Sequence, residues 1–241
     1  MNIQILMPMG GLGSRFVEQG FDTPKPLIPV DGKPMFMRAL DSFKPLNKPA
    51  HIFVIRKEQV EKYSLDTQIK DFLPDAKINI LDHNTRGAVE TCMIAADDID
   101  DDSPIIIADC DIYFQSTEYF RKILDKSSDG LLLTFKSNHP RYSYVSINES
   151  GIAVKTAEKI VISDNAILGG YYFSSGKLFK ELASSFISQP LPTSIKEYFV
   201  SHLYNLMIAR GLKIRIAAID KKYIFGTPEE LREYNKMSAK T

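Results

Sequence analysis

Short apolar runs alternate with stretches of helical spacing through the first half of the chain. Apolar segments at 3–7, 51–55, 77–81 and 104–108 read as strands; patterns at 35–43, 59–72, 88–96 and 118–125 read as helices between them. Strand and helix in strict alternation predict a mainly parallel sheet covered on both faces, a doubly wound three-layer α/β domain. After Gly130 the pattern changes to segments rich in β-branched and aromatic residues, at 131–135, 142–147, 152–156 and 167–174, which predict antiparallel additions and make the sheet mixed. Helices at 176–186, 195–209 and 228–237 and a strand at 213–219 complete the pattern. With no internal repeat and only a short proline-rich loop at 189–192, one domain over 1–241, with halves 1–130 and 131–241, is expected.

Composition narrows the function classes. The 241 residues are 44% hydrophobic and 25% charged, which excludes disordered and fibrous classes, and 30 basic residues balance 30 acidic ones. A chain without net charge has no global field for nucleic acid or an acidic membrane, so neither is expected as a partner, and phosphate must be held by local groups. Cys92 and Cys110 form no metal-ligand spacing and are expected as reduced core thiols; the four histidines show no HxH or HxxxH pattern. The apolar start at 3–9 is too short and lacks the basic flank of a leader, and no run of eighteen apolar residues occurs, so a cytoplasmic protein is expected. The acidic run 97–102 precedes the strand at 104–108, at the end opposite to where open α/β sheets bind ligands, and reads as a solvated loop.

The chemistry concentrates after the first strand, in Met9-Gly10-Gly11-Leu12-Gly13-Ser14-Arg15-Phe16. Glycines there let the backbone approach a phosphate and turn N–H groups toward it. Phe16 stands where a dinucleotide fingerprint needs its third glycine, and GxxxxGK[ST] is absent. Arg15 closes the turn, and ten residues later Pro24-Lys25-Pro26 supplies a second cation on a rigid segment. GGLGSRF followed by TPKPLIPVDGKPM resembles the nucleotidyltransferase superfamily that includes sugar-1-phosphate nucleotidylyltransferases and phosphocholine cytidylyltransferases. Molybdenum-cofactor guanylyltransferases place their lysine much closer to the arginine, so this spacing favours the sugar-phosphate branch.

The resemblance implies that Met9, Gly10, Gly11, Gly13 and Ser14 wrap the phosphates of a nucleoside triphosphate while Arg15 and Lys25 act as catalytic cations. It implies that 1–130 binds the nucleotide and 131–241 the acceptor. Arg86-Gly87-Ala88 matches the place where the base is read around a glycine, and Ala108-Asp109-Cys110-Asp111 the place of the magnesium-binding aspartate. Asp111 is therefore expected to hold Mg2+. Glu158-Lys159, followed by Asn165 and Gly169-Gly170-Tyr171, resembles the acceptor stretch, with Glu158 on sugar hydroxyls and Lys159 on the sugar phosphate; Asn165 and Tyr142 complete the expected acceptor set. Gly226-Thr227-Pro228-Glu229-Glu230 resembles a further family stretch. Three departures stand out: Ile224 replaces the second metal aspartate, Ile160 a proline, and Ser143 a glycine packed against the sugar. Asp109, or Asp220, is expected to compensate for Ile224.

Nucleotidyl transfer sends an anionic phosphate oxygen to the α-phosphorus and expels pyrophosphate, so it needs positioning and charge neutralisation more than a protein nucleophile. Asp109 and Asp111, at i and i+2, project to one side, where a cation would relieve their repulsion. The favoured reading is an NTP-dependent enzyme that loads a sugar 1-phosphate for surface-polysaccharide precursor synthesis. The alternative is a cytidylyltransferase for phosphocholine or another phospho-alcohol; a glycosyltransferase with a DxD motif and a non-catalytic paralogue rank below. Five residues before Gly87 stands Asp82. A carboxylate only accepts hydrogen bonds, which suits the amino group of cytosine and the N1 and N2 donors of guanine, so CTP is expected first and GTP second.

Overall fold

The computed structural model describes residues 2–191 and 195–238; Pro192 of the expected loop lies outside them. β1 (Gln4–Met9) runs into the glycine turn and the single-turn α1 (Ser14–Val17). The ribbon β2 (Pro29–Val30) and β3 (Lys33–Pro34) leads to α2 (Met35–Leu40). Then follow β4 (Ala50–Arg56), α3 (Lys57–Tyr63), α4 (Leu65–Phe72), β5 (Lys77–Leu81), α5 (Ala88–Met93), β6 (Ile105–Ile107), β7 (Ile112–Gln115) and α6 (Thr117–Leu124). The second half carries β8 (Gly130–Lys136), β9 (Ser143–Ile147), β10 (Ala153–Glu158), β11 (Asn165–Phe173), α7 (Gly176–Ile187), α8 (Ser201–Ala209), β12 (Ile214–Ala218), β13 (Lys221–Ile224) and α9 (Pro228–Ser238).

Strands of both halves join one sheet in the order β10-β9-β11-β6-β1-β4-β5, with β8 and β12 attached beyond β11. β6, β1, β4 and β5 are parallel, β11 is antiparallel to β6, and β9 and β10 are antiparallel additions, as the change of pattern after Gly130 predicts. Alternation along the strands divides the core between the two faces. Ile5, Met7, Phe53, Ile55 and Ile106 pack with α2, α4 and α6 on one side; Leu6, Ile52, Val54, Ile105 and Ile107 pack with α5, α7 and α8 on the other. Among the described residues no helix is long and apolar enough to cross a membrane.

Three departures from the sequence pattern shape the molecule. The helix expected over 59–72 breaks at Ser64, whose left-handed backbone (φ 50°) lets its N–H end α3 on Val60 O while its own carbonyl accepts from Gln68 at the start of α4. The helix expected from 195 starts at Ser201, because Tyr198 spends its backbone on other partners: its N–H donates to Arg86 O at 2.9 Å, and its carbonyl accepts from Val89 N–H at 3.0 Å. An unexpected ribbon pairs Ile112 with Ile224 and Gln115 with Lys221, so β7 and β13 stand outside the main sheet.

Within β11 the ladder slips between Leu168 and Tyr172, at Gly169-Gly170. Along one edge, Tyr171–Phe173 pair with β6 while Ala166 and Ile167 pair with β9. The sheet therefore opens where β6 ends. A third apolar cluster, with Phe16, Val30, Met35, Phe225, Leu231 and Tyr234, sews α1, the β2–β3 ribbon and α9 together beside that opening.

Gly87 (φ 143°) meets the 198 segment so closely that a Cβ would stand 2.5 Å from Tyr198 N. Gly87→Ala is expected to lower stability by about 2–4 kcal/mol through strain and overpacking. Gly11→Ala, whose Cβ would meet nothing within 4 Å, is expected to stay within about 0.5 kcal/mol of the parent. Urea midpoints compare the two, and equal shifts would show that this contact is not what requires a glycine.

Candidate active site

The carboxyl ends of β1, β4 and β6 point toward one region, the usual ligand end of an open parallel sheet. Met9 is buried as the last residue of β1. The turn that follows needs its glycines: a Cβ on Gly10 would lie 2.8 Å from Leu81 and 2.9 Å from Thr91, and Gly13 (φ 64°) passes its Cα beside Lys25. Arg56 Nη1 donates to Gly10 O at 3.1 Å and pins the turn from below. Among the described residues no backbone acceptor takes the N–H of Gly11, Leu12 or Gly13, which leaves donors free for an anion. Ser14 is exposed, and buried Phe16 anchors α1, so Arg15 projects outward with no ion-pair partner among the described residues.

Lys25 sits on a short 3-10 turn flanked by Pro24 and Pro26, and its Nζ contacts Asp111 Oδ2 at 2.5 Å. Burial alone would lower the lysine's pKa; the Asp111 carboxylate overrides it and holds the ammonium charged, well above its usual value. Asp109 faces inward against the opening in β11, where a side chain on Gly169 would fall 2.7 Å from its Cγ. Burial first, and then the charge of Asp111, push Asp109 up to about 7. Burial likewise pushes the Cys110 thiol up to about 12, and Cys92 is a buried free thiol. Both aspartates line the same cleft, as their i, i+2 spacing predicts. Asp220 does not reach it: its Oδ2 accepts from the N–H and hydroxyl of Thr117 at 2.8 and 3.0 Å, a local cap of α6 that removes it as a substitute for the carboxylate missing at Ile224.

Arg15, Lys25, Asp109, Asp111, Tyr142, Glu158 and Lys159 line one open cleft of about 760 Å³. Adjacent strand residues point to opposite faces, yet Glu158 and Lys159 share this cleft because β10 ends at Glu158 and Lys159 is left-handed (φ 56°). Its N–H donates to Tyr142 O at 3.1 Å, which fixes the bend. Glu158 Oε2 accepts from the hydroxyls of Ser143 and, at 3.0 Å, Ser201. Ser143 thus orients the carboxylate from the place where the sequence comparison expects a glycine. Lys159 Nζ lies 5.0 Å from the centre of the Phe199 ring, and the guanidinium of Arg141 lies 5.2 Å from that of Tyr142. Asn165 is buried at the far end of β11, accepts from Lys136 Nζ at 3.1 Å, and borders a separate depression on the other side of the sheet edge. Of the expected acceptor set, Tyr142, Glu158 and Lys159 line this cleft and Asn165 does not, while Ser143 and Ser201 hold Glu158 from behind.

Asp82 is 74% exposed just after β5, with His83 Nδ1 at 2.9 Å, and that hydrogen bond holds its carboxyl below the usual range. Gly87 caps α5 against Tyr198. Arg141 and Glu230, to which no motif assigns a role, also face the cleft. Arg141 pairs with Glu230 Oε1, while Glu230 Oε2 is buried without a hydrogen-bond partner among the described residues. Among the described residues no three His, Cys, Asp or Glu side chains converge as a metal-binding group. Magnesium needs less: one or two carboxylates, completed by phosphate oxygens and water. The hard oxygens of Asp111 and the orphaned Glu230 Oε2 fit that requirement.

A family model described as the MobA-like NTP transferase domain matches residues 6–197. A D-glycero-alpha-D-manno-heptose 1-phosphate guanylyltransferase of Campylobacter jejuni is 23% identical over 231 residues, which cover 95% of this chain and 96% of the relative. Among solved structures, a nucleoside-diphosphate-sugar pyrophosphorylase of Vibrio cholerae superposes with a TM-score of 0.82 at 23% identity, over 96% of this chain and 99% of its own. An inositol-1-phosphate CTP transferase of T. maritima gives a TM-score of 0.73 at 16% identity, over 99% and 95%. These likenesses extend to the whole mixed sheet.

The Lys25 and Asp111 side chains are 22% and 17% exposed, so removing either strands a mostly dehydrated charge. A double-mutant cycle with Lys25→Met and Asp111→Asn, read from urea midpoints, is expected to show a coupling of about 1–3 kcal/mol. Additive losses would show that the two charges do not support each other.

Proposed function

The chain belongs to the MobA-like NTP transferase domain family and is a nucleotidyltransferase, and from that premise we propose that it transfers the nucleotidyl group of a nucleoside triphosphate to a sugar 1-phosphate and releases pyrophosphate. The observation that carries this reading is the single cleft in which the Lys25–Asp111 pair stands between the glycine turn's arginine and the Glu158–Lys159 corner. Residues 1–130 hold the triphosphate and residues 131–241 the acceptor. The free N–H groups of the turn take phosphate oxygens, and Arg15 and Lys25 offset the charge that grows as pyrophosphate leaves. Glu158, steadied by two serine hydroxyls, accepts from sugar hydroxyls, and Lys159 holds the acceptor phosphate. Asp111 would hold a magnesium ion, with Asp109 behind it; bound there, the ion supplies charge neutralisation on the phosphates. The product is an activated sugar, the kind of donor that surface-polysaccharide synthesis consumes.

Two rings near the acceptor corner could receive a quaternary ammonium group, but both carry cations already: Tyr142 under Arg141 and Phe199 under Lys159. That favours a sugar phosphate over phosphocholine. At the proposed base end, Asp82 gives one carboxylate oxygen to His83 and keeps the other as an acceptor for an amino group, which favours CTP, then GTP, over UTP and dTTP.

A panel of four triphosphates crossed with sugar 1-phosphates and phospho-alcohols, read by pyrophosphate release with Mg2+, tests the assignment; no release in any combination would overturn it. Arg15→Ala is expected to lower kcat/KM by about 100-fold to 1,000-fold while its urea midpoint stays unchanged, since Arg15 has no ion-pair partner to lose among the described residues. Wild-type turnover in that variant removes Arg15 from the site. Asp82→Gln is expected to shift preference from CTP toward UTP, and an unchanged ratio of the two rates means that another group reads the base.

A further inference from the structure

Glu230 is in the first turn of α9 on the face next to Leu231 and Tyr234, both buried in the third apolar cluster, so the helix cannot turn the glutamate away from the cleft. Its N–H donates to Thr227 Oγ1 at 3.2 Å, a further tie at the helix start. Across the cleft, Phe225 N–H donates to Asp111 O at 2.8 Å, which fixes the strand end carrying Gly226 against the loop carrying Asp111. The result is a convergence on one point, the place a Cβ on Gly226 would occupy. Asp111 Oδ2 lies 3.0 Å from it, Glu230 Oε2 3.3 Å and Ile224 Cγ2 3.8 Å.

Arg141 satisfies Glu230 Oε1, yet Oε2 is buried and, among the described residues, accepts from nothing. A carboxylate oxygen hidden from water without a donor is unfavourable unless a cation visits it. We propose that Glu230 supplies the second protein carboxylate for the divalent ion that Asp111 would hold, taking over from α9 the task that Ile224 cannot perform. This rests on the reading above that transfer uses a divalent ion. The methylene that distinguishes Glu from Asp gives the reach from the helix, and the missing side chain at Gly226 leaves the space between the two oxygens open. Lys25 holds the same oxygen of Asp111 at 2.5 Å. Binding of the ion is therefore expected to tighten when a triphosphate draws the ammonium away.

The test measures binding of Mn2+ to the whole chain, by the loss of the free-ion electron paramagnetic resonance signal, alone and with α,β-methylene CTP or GTP. Glu230→Gln keeps an acceptor for Arg141 and is expected to weaken Mn2+ at least tenfold, with an unchanged or raised urea midpoint. Adding Ile224→Asp to that variant is expected to restore most of the affinity, because position 224 borders the same point. Parental Mn2+ affinity in Glu230→Gln, alongside weakened binding in Asp111→Asn, overturns the role of Glu230 and leaves the proposed reaction standing. Lost affinity accompanied by a lowered midpoint and no recovery in the double variant shows a merely structural role and also overturns it. A wild-type chain that binds no Mn2+ under either condition overturns both this inference and the use of a divalent ion.

Discussion

The ion pair between Lys25 and Asp111 decides how much charge this cleft can carry. Asp109, Asp111, Glu158 and Glu230 surround the same space, and in a half-buried setting their mutual repulsion would spread the loops apart. One ammonium inserted among them at 2.5 Å from Asp111 offsets part of that repulsion. It also joins two distant parts of the chain, the proline-flanked turn after α1 and the loop after β6. Asp109 shows what happens out of direct reach of the lysine: burial and the neighbouring carboxylate raise its pKa to about 7, favouring the protonated form relative to an ordinary aspartate.

Apolar packing sets the positions on which those charges depend. Phe16, one residue after Arg15, and Phe225, one residue before Gly226, belong to the same buried cluster, with Leu231 and Tyr234 of α9 beside them. The cluster lies outside the two cores that flank the main sheet. The glycine turn and the start of α9 are thereby fixed to each other as well as to the sheet. The slip in β11 at Gly169-Gly170 makes room for Asp109; a regular strand with side chains there would close the opening.

Much of this was legible in the sequence because it rests on local pattern. Alternating apolar runs mark β1, β4, β5 and β6 as buried parallel strands, and the glycine turn with Arg15 and Lys25 is contiguous enough to be read as chemistry. What escaped depends on contacts between distant segments. The β7–β13 ribbon joins residues about 110 positions apart, and neither four-residue strand has a period long enough to declare itself. Asp220 is chemically suitable as a metal ligand, but its tie to Thr117 appears only in the fold. Asn165 matches a motif, but its tie to Lys136 and its place beside a separate depression appear only in the fold. Glu230 lies in a family-like stretch that by itself implies no role for it, since its orphaned oxygen is a property of packing.

The short segment from Tyr198 to Ser201 touches both ends of the site. Tyr198 exchanges backbone hydrogen bonds with Arg86 and Val89 on either side of Gly87, Phe199 lies under Lys159, and Ser201 steadies Glu158. On the proposed reading, base choice and acceptor choice thus share one wall. On that reading, an effort to retool the enzyme for a bulkier sugar by pushing that wall back will disturb the glycine proposed to frame the base. Libraries built on this scaffold should vary the two pockets jointly, and natural variants with new acceptors should carry compensating changes around residue 87.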